Sequence, residues 1–157
     1  MDGSARNADG ARGRKEMPKR PTAADVLPVP TESAEQQCLF RWAAHSRGKW
    51  PELELMYHIP NGGTRSKSEA GRFRAEGVKA GVPDICLPVA RGGYHGMYVE
   101  MKRRKGGRIS PEQAAWIDAL IHEGYVAIVC RGWEEAAGQI EAYMCGRMQK
   151  GAAHEPV

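Results

Sequence analysis

Two short apolar segments separated by a pair of glycines constrain the fold of this chain more than any other feature. The segments span residues 84–89 and 97–102, and Gly92–Gly93 lies between them. Adjacent glycines favour the backbone angles of a tight turn, so the pattern predicts an antiparallel hairpin. Because side chains alternate along a strand, Ile85, Leu87 and Val89 are predicted to form one apolar face.

The opposite face of this predicted hairpin carries charged side chains. Glu100 and Lys102 project from one side of the second strand, and Asp84 begins that side of the first. The start of one hairpin strand lies beside the end of the other, so these three side chains are expected to converge. Adjacent carboxylates repel unless a cation lies between them, and Mg²⁺ prefers hard oxygen ligands. The pattern predicts a Mg²⁺ or Mn²⁺ site, completed by the backbone carbonyl of Met101.

Such a site has a specific chemistry, and its motifs also have simpler interpretations. A cation there can polarise a phosphate and activate water, while Lys102 orients that water or stabilises charge on the phosphate. Alone, however, a Glu-x-Lys pair in a strand is usually a solvated salt bridge. A Pro-Asp pair before a strand is often only a turn.

The spacing of apolar residues outside the hairpin predicts helices before and after it. A helix is expected to begin near Ser33, which forms a capping-box pattern with Gln36, and another begins at Ser110-Pro111, with Gln113 at the third position. The predicted order is α-β-(α)-β-β-α-β-α, an α/β fold with a mixed sheet flanked by helices. The other segments are a strand at 55–59, a helix within 65–77, a strand at 125–130 and a helix from 133 to about 148.

Composition sets the limits of the domain. The 157 residues suit one domain with tails, which we predict as a disordered basic segment at 1–31, a folded domain at 32–148 and a tail at 149–157. No signal peptide or membrane-length apolar segment is evident, so we expect a cytoplasmic protein without a membrane partner. Cys38, Cys86 and Cys130 lie in apolar segments and are predicted to be buried free thiols.

The distribution of positive charge favours a polyanion as partner. The net charge is +4, and basic residues cluster directly after the second hairpin strand. Few aromatic side chains accompany them, which favours duplex or junction DNA over single strands. His58 and His95 are not expected to bind a metal that prefers oxygen. The predicted phosphate contacts are Arg65, Lys67, Arg72, Arg74, Arg103, Arg104, Lys105 and Arg108.

Three motifs together resemble the PD-(D/E)xK nuclease superfamily. They are Gly81-Val-Pro-Asp84, Tyr98-Val-Glu100-Met-Lys102 and Ser110-Pro-Glu-Gln113. Within that superfamily they are most similar to the VRR-NUC family, whose standalone members occur in phages and bacteria. The resemblance covers about residues 33–145 and includes the segments 59–63 and 77–81. As a set these motifs are specific, whereas Glu-x-Lys alone is not.

The resemblance implies a restriction-endonuclease-like fold and a divalent-metal-dependent DNA endonuclease. It assigns metal binding to Asp84 and Glu100, catalysis to Lys102 and support of the site to Gln113. Glu35 matches the acid that the family places on its first helix near the metal, and Glu32 is a competing assignment. Two alternatives stay open: Gln113 only completes the Ser110 cap, and Glu35 only favours the helix N-terminus.

The resemblance also implies a homodimer similar to Holliday-junction resolvases, acting on branched or duplex DNA in a bacterial or phage-infected cell. Two other functions remain open on the sequence. One is a non-catalytic DNA-binding module that keeps the nuclease fold. The other is a partner for replication or packaging proteins.

Overall fold

The order of helices and strands confirms the predicted α/β architecture. The structure is a computed structural model that describes residues 29–60 and 67–148. Residues 1–28 and 149–157 of the predicted tails and Arg65 lie outside these ranges, and the side chain of Lys67 is not described. The elements are α1 (Glu32–Ser46), a 3₁₀ helix (Pro51–Leu55), β1 (Tyr57–His58), α2 (Lys67–Ala75), β2 (Ile85–Leu87), β3 (Met97–Lys102), α3 (Pro111–His122), β4 (Val126–Arg131) and α4 (Trp133–Met144).

The four strands form one mixed sheet in the order β1-β2-β3-β4. The predicted hairpin is present, since β2 and β3 pair antiparallel with Ile85 opposite Val99 and Leu87 opposite Met97. The edge strand β1 is antiparallel to β2, whereas β4 is parallel to β3. A parallel pair requires a crossover connection, which α3 supplies.

Helices cover both faces of this sheet. The apolar face of the hairpin packs in the main core with Leu39 of α1 and with Ile140 and Tyr143 of α4. On the other face, Ile117 and Leu120 of α3 bury Ala127 of β4. The charged face of the hairpin and the start of α3 therefore lie on the same side of the sheet.

Several boundaries differ from those predicted, each for a local reason. Thr31 rather than Ser33 caps α1, because Thr31 is extended and its hydroxyl accepts the Ala34 N–H at 3.1 Å. The first predicted strand is shorter because the 3₁₀ helix begins at Pro51 and extends to Leu55. Strand β2 ends at Leu87, since Pro88 has no N–H to donate to a ladder. Helix α4 ends at Met144 rather than Met148.

All four cysteines are free thiols, and their burial differs from the prediction at one position. Cys86 and Cys130 are buried as expected, whereas Cys38 is only half-buried on α1, and Cys145 is exposed. No helix in the described part of the chain has the length and apolar character needed to cross a membrane.

Candidate active site

The carboxylate of Asp84 is fixed at the point where the hairpin strands meet the start of α3. One residue before the Ile85–Val99 pair, the register places Asp84 beside Glu100. Asp84 Oδ2 accepts the backbone N–H of Met101 at 2.9 Å, and its backbone carbonyl accepts the Ile59 N–H at 2.7 Å. Asp84 is thus held to both neighbouring strands, and its side chain lies across the ladder from the Glu-x-Lys motif, as predicted.

A cavity of about 280 Å³ opens over these acids at the end of the sheet. The N-termini of α1 and α3 reach it from opposite faces of the sheet, together with the segment that precedes Asp84. The lining residues are Glu32, Ala80, Gly81, Val82, Asp84, Glu100, Lys102, Ser110, Glu112 and Gln113.

Glu100 is the buried acid of this cavity, with a side chain that is only 1% exposed. Its Oε1 accepts Lys102 Nζ at 2.6 Å and also Gln113 Nε2, whereas its Oε2 is buried without a hydrogen-bond partner in the described part of the chain. Burial raises the pKa of Glu100 to about 7; the charge of Asp84 adds to this rise, and Lys102 opposes it. A buried oxygen without a partner is rare and calls for an explanation such as an ion.

The environment of Asp84 has the same electrostatic character. Burial raises its pKa, while the Met101 N–H and the Lys102 charge oppose the rise. Glu32 at the start of α1 adds to the rise in both acids. Two carboxylates that destabilise each other's charge would both be stabilised by a cation between them.

The donor set fits a hard divalent cation. No group of three or more His, Cys, Asp or Glu side chains arranged to hold a metal occurs in residues 29–60 and 67–148. Mg²⁺ does not require such a cage, because it is usually bound by one or two carboxylates, water and substrate phosphates. Asp84 and the free Oε2 of Glu100 can provide those carboxylate oxygens. The backbone carbonyl of Met101, the next residue after Glu100, is a candidate third oxygen ligand.

Lys102 is held beside Glu100 and shielded by the loop that follows β3. Its side chain is 8% exposed, and its amine is paired with Glu100. Gly107 packs on its stem, where an added Cβ would lie 3.0 Å from Lys102 Cβ. Arg131 Nη1 donates to the Gly107 carbonyl at 3.0 Å and ties this loop to β4.

Gln113 makes contacts that fit both of the roles left open by the sequence. Its Oε1 accepts the Ser110 N–H at 2.9 Å and its backbone N–H donates to Ser110 Oγ at 3.2 Å, which completes the predicted capping box. Its Nε2 donates to Glu100 Oε1. The helix cap therefore also orients the buried acid.

Glu35 requires a correction, because the structure does not bring it into the cavity. It is 1% exposed, and its Oε1 accepts Arg104 Nε at 2.7 Å. Its Oε2 accepts the Trp133 N–H at 3.0 Å, at the start of α4. Glu35 therefore stabilises the N-terminus of α4. Glu32, one turn earlier on α1, is the helix acid that lines the cavity.

The basic residues after β3 divide into two groups. Arg103, Lys105 and Arg108 are exposed. Arg104 is also exposed, but its guanidinium is paired with Glu35 and Glu134, so its prediction as a phosphate contact needs correction. On α2, Arg72 pairs with Glu76 at 3.4 Å.

The sequence treated Ser110 and Glu112 only as parts of a helix start, yet both line the cavity. Gly81 allows the start of α3 to lie close to the segment that precedes Asp84. Its φ is +84°, and an added Cβ would lie 2.6 Å from the Glu112 carbonyl carbon. Only glycine allows this contact, and a Gly before Pro-Asp is a signal that could have revealed it. His58 and His95 are absent from the cavity lining, although His58 Nδ1 lies 2.9 Å from the Asp84 carbonyl oxygen.

Comparisons with known proteins point to one domain family. The sequence model of the VRR-NUC domain matches residues 30–134. A solved structure of a protein described as a VRR_NUC domain protein is 31% identical, with a TM-score of 0.65, and the match covers 76% of this chain and 92% of that one. No curated protein matches the chain.

Proposed function

Since the chain belongs to the VRR-NUC domain family, whose domain implies nuclease-type DNA processing, we propose that it is a Mg²⁺- or Mn²⁺-dependent DNA endonuclease. The observation that carries the proposal is the pairing of Asp84 with Glu100, whose buried Oε2 has no partner among the described residues. Burial raises the pKa of both acids, and the charge of Asp84 raises that of Glu100 further. Acids placed at such a cost are typical of functional sites.

In this proposal Asp84, Glu100 and the Met101 carbonyl hold the cation. Bound there, a divalent cation would polarise the phosphate and make an attacking water more acidic. The protein arranges its donors in advance, because the Met101 N–H fixes one carboxylate and Lys102 with Gln113 fixes the other. We assign Glu32 as the acid that α1 contributes at the cavity, in place of Glu35.

Lys102 has the electrostatic role. Its amine lies 2.6 Å from Glu100 Oε1, so its positive charge is available where negative charge builds on the phosphate. A buried cation stabilises that charge more strongly than an exposed one, because water screens it less. Gln113 has a positioning role, since it orients Glu100 through a rigid helix start.

The remaining parts of the proposal concern the DNA. Three exposed basic residues lie in the loop that follows β3, so they are suited to hold phosphates near the cavity: Arg103, Lys105 and Arg108. We extend the proposal to branched DNA and to a homodimer, in the manner of Holliday-junction resolvases. A two-fold dimer would present matched sites to two strands related by the same symmetry.

The proposal is tested by cutting assays on a labelled four-way junction in Mn²⁺. Asp84→Ala is expected to abolish cutting while binding in a gel-shift assay stays within about threefold of wild type. Glu123→Ala serves as the matched control and should cut normally, because this acid is at the far end of α3, about 15 Å along the helix from Gln113.

Equal cutting by wild type and Asp84→Ala would overturn the assignment. Binding without cutting by the wild-type protein, in Mg²⁺ as well as in Mn²⁺, would favour a non-catalytic DNA-binding module. A panel of linear, flapped, fork and four-way DNA then decides which structure is preferred.

A further inference from the structure

Tyr57, Cys86 and Tyr98 form a row across three strands of the sheet. Tyr57 lies opposite Cys86 in one ladder, and Cys86 lies opposite Tyr98 in the next. Directly paired residues share a face, and side chains two apart on a strand share it as well. The row therefore lies on the face that carries Asp84 and Glu100, one step along the strands from them.

Cys86 lies between the two tyrosines, as the ladder partner of each. A hydrogen bond with this thiol raises the pKa of Tyr57. Burial, together with a hydrogen bond to the same thiol, raises the pKa of Tyr98.

Tyr57 nevertheless remains open to solvent. Its relative exposure is 49%, and it is one of the few large hydrophobic residues so exposed in the described part of the chain. The apolar cluster beneath α3 includes Tyr98 but not Tyr57. The result is an aromatic ring on the edge strand with a surface open to solvent.

The position of this ring relative to the acids suits a nucleotide. Tyr57 is the diagonal neighbour of Asp84 across the β1–β2 ladder. The Cα atoms of such neighbours are about 7–8 Å apart. Exposed cations lie after β3, so a DNA backbone held by them passes the same end of the sheet. A nucleobase attached at or next to the phosphate over Asp84 can therefore reach the ring.

We propose that Tyr57 is a stacking subsite for an unpaired nucleobase adjacent to the phosphate that is cut, an inference that rests on the proposed function. Aromatic rings bind any base through its π-face, so the subsite selects a DNA structure and not a sequence. A base inside an intact duplex is stacked on its neighbours and unavailable. The subsite thus favours DNA with an unpaired base at a branch, flap or bulge.

The test uses two matched oligonucleotides, a fully paired duplex and the same duplex with one unpaired 2-aminopurine, whose fluorescence falls when it stacks. Binding is measured in EDTA, so that metal-dependent cutting does not interfere. Wild type is expected to quench the probe and to prefer the DNA with the unpaired base. Tyr57→Leu should leave the probe bright and weaken that binding about 5- to 150-fold, with the paired duplex within twofold of wild type.

Two variants separate stacking from folding. Tyr57→Phe keeps the ring without the hydroxyl and should still quench the probe. Leu55→Ala removes another exposed apolar side chain, one that is 54% exposed, and should bind as wild type. Unchanged quenching by Tyr57→Leu, or absence of quenching by wild type, would overturn the inference.

The result is separable from that of the nuclease proposal. If wild type cuts no DNA in Mg²⁺ or Mn²⁺, the proposed function fails, while quenching in EDTA still reports on the stack. If wild type cuts normally but Tyr57→Leu and wild type bind both oligonucleotides alike, only the subsite is rejected.

Discussion

The buried carboxylate of Glu35 accepts a hydrogen bond from Arg104 Nε at 2.7 Å, and this contact changes the interpretation of both residues. One residue was predicted as a metal ligand and the other as a phosphate contact. Together they link α1 to the loop after β3. The Arg104 side chain lies against Gly132, in the space that a Cβ at this position would fill, so the glycine permits the contact. The pair positions the loop that shields Lys102.

We expect Arg104→Ala to lower the urea midpoint of unfolding, because it leaves the buried Glu35 with fewer donors. The dependence of DNA affinity on salt should not change. Arg103→Ala is the matched control from the same loop, and it should reduce the slope of log K against log salt by about 1. A reduced slope in Arg104→Ala would return that residue to the DNA interface.

Ser110→Ala and Gln113→Ala should separate the helix cap from the site. Losing the Ser110 hydroxyl removes the acceptor of the cap but no contact with Glu100, so it should cost about 1 kcal/mol of stability, with a smaller loss of kcat than Gln113→Ala. Gln113→Ala also removes a donor to Glu100, so it should lower kcat about tenfold or more at an unchanged KM. Urea unfolding and steady-state cutting assays provide both values; equal kcat in the two variants would contradict a role for Gln113 in the site.

The contribution of Glu100 to the stability of the metal-free protein should fall as the pH rises from about 4.5 to about 7. The pKa of Glu100 is raised from its ordinary 4.5 to about 7, so in this window the folded state binds more protons than the unfolded state. The contribution of this residue is up to about 3 kcal/mol, present at low pH and lost above pH 7. Urea unfolding in a chelator should show this component in wild type and not in Glu100→Gln. Identical pH profiles would contradict the burial argument.

Gly81→Ala should destabilise the protein more than Gly77→Ala. Both glycines have positive φ, +84° and +92°, so both substitutions share a backbone strain of about 1–3 kcal/mol. At Gly81 the new methyl group also meets the backbone of Glu112, whereas at Gly77 nothing lies within 4 Å. The larger loss of unfolding free energy, measured in urea, should be accompanied by weaker cutting, since α3 must move away from Asp84. Equal losses would show that the close approach has little energetic weight.

Patterns that repeat within a few residues predicted the strands, the hairpin and the Ser110 cap. Strand geometry places Ile85 and Leu87 on one face, and the position of the Gly92–Gly93 turn predicts their partners in the hairpin. The convergence of Asp84, Glu100 and Lys102 follows from the same register. Their chemical roles remain proposals until the variants are measured.

The predictions at the start of α1 were wrong because two residues of each kind fit the same sequence pattern. Thr31 and Ser33 are both capping residues, and only the extended conformation of Thr31 selects between them. Glu32 and Glu35 both precede the apolar residues of the helix. The sequence could not tell them apart, because the way a helix is rotated on a sheet depends on everything packed against it.

The sequence by itself determined which side chains share a strand face and where α3 and α4 begin, because these depend on backbone periods and turn or cap residues that span few positions. Tertiary packing alone decided that Glu35 meets Arg104 and Trp133, 69 and 98 residues away, that Glu32 reaches the cavity, and that Tyr57 lies open beside it. Such contacts depend on how α1, α4 and the loop after β3 are oriented relative to one another, and burial makes those few ion pairs and hydrogen bonds the ones that matter.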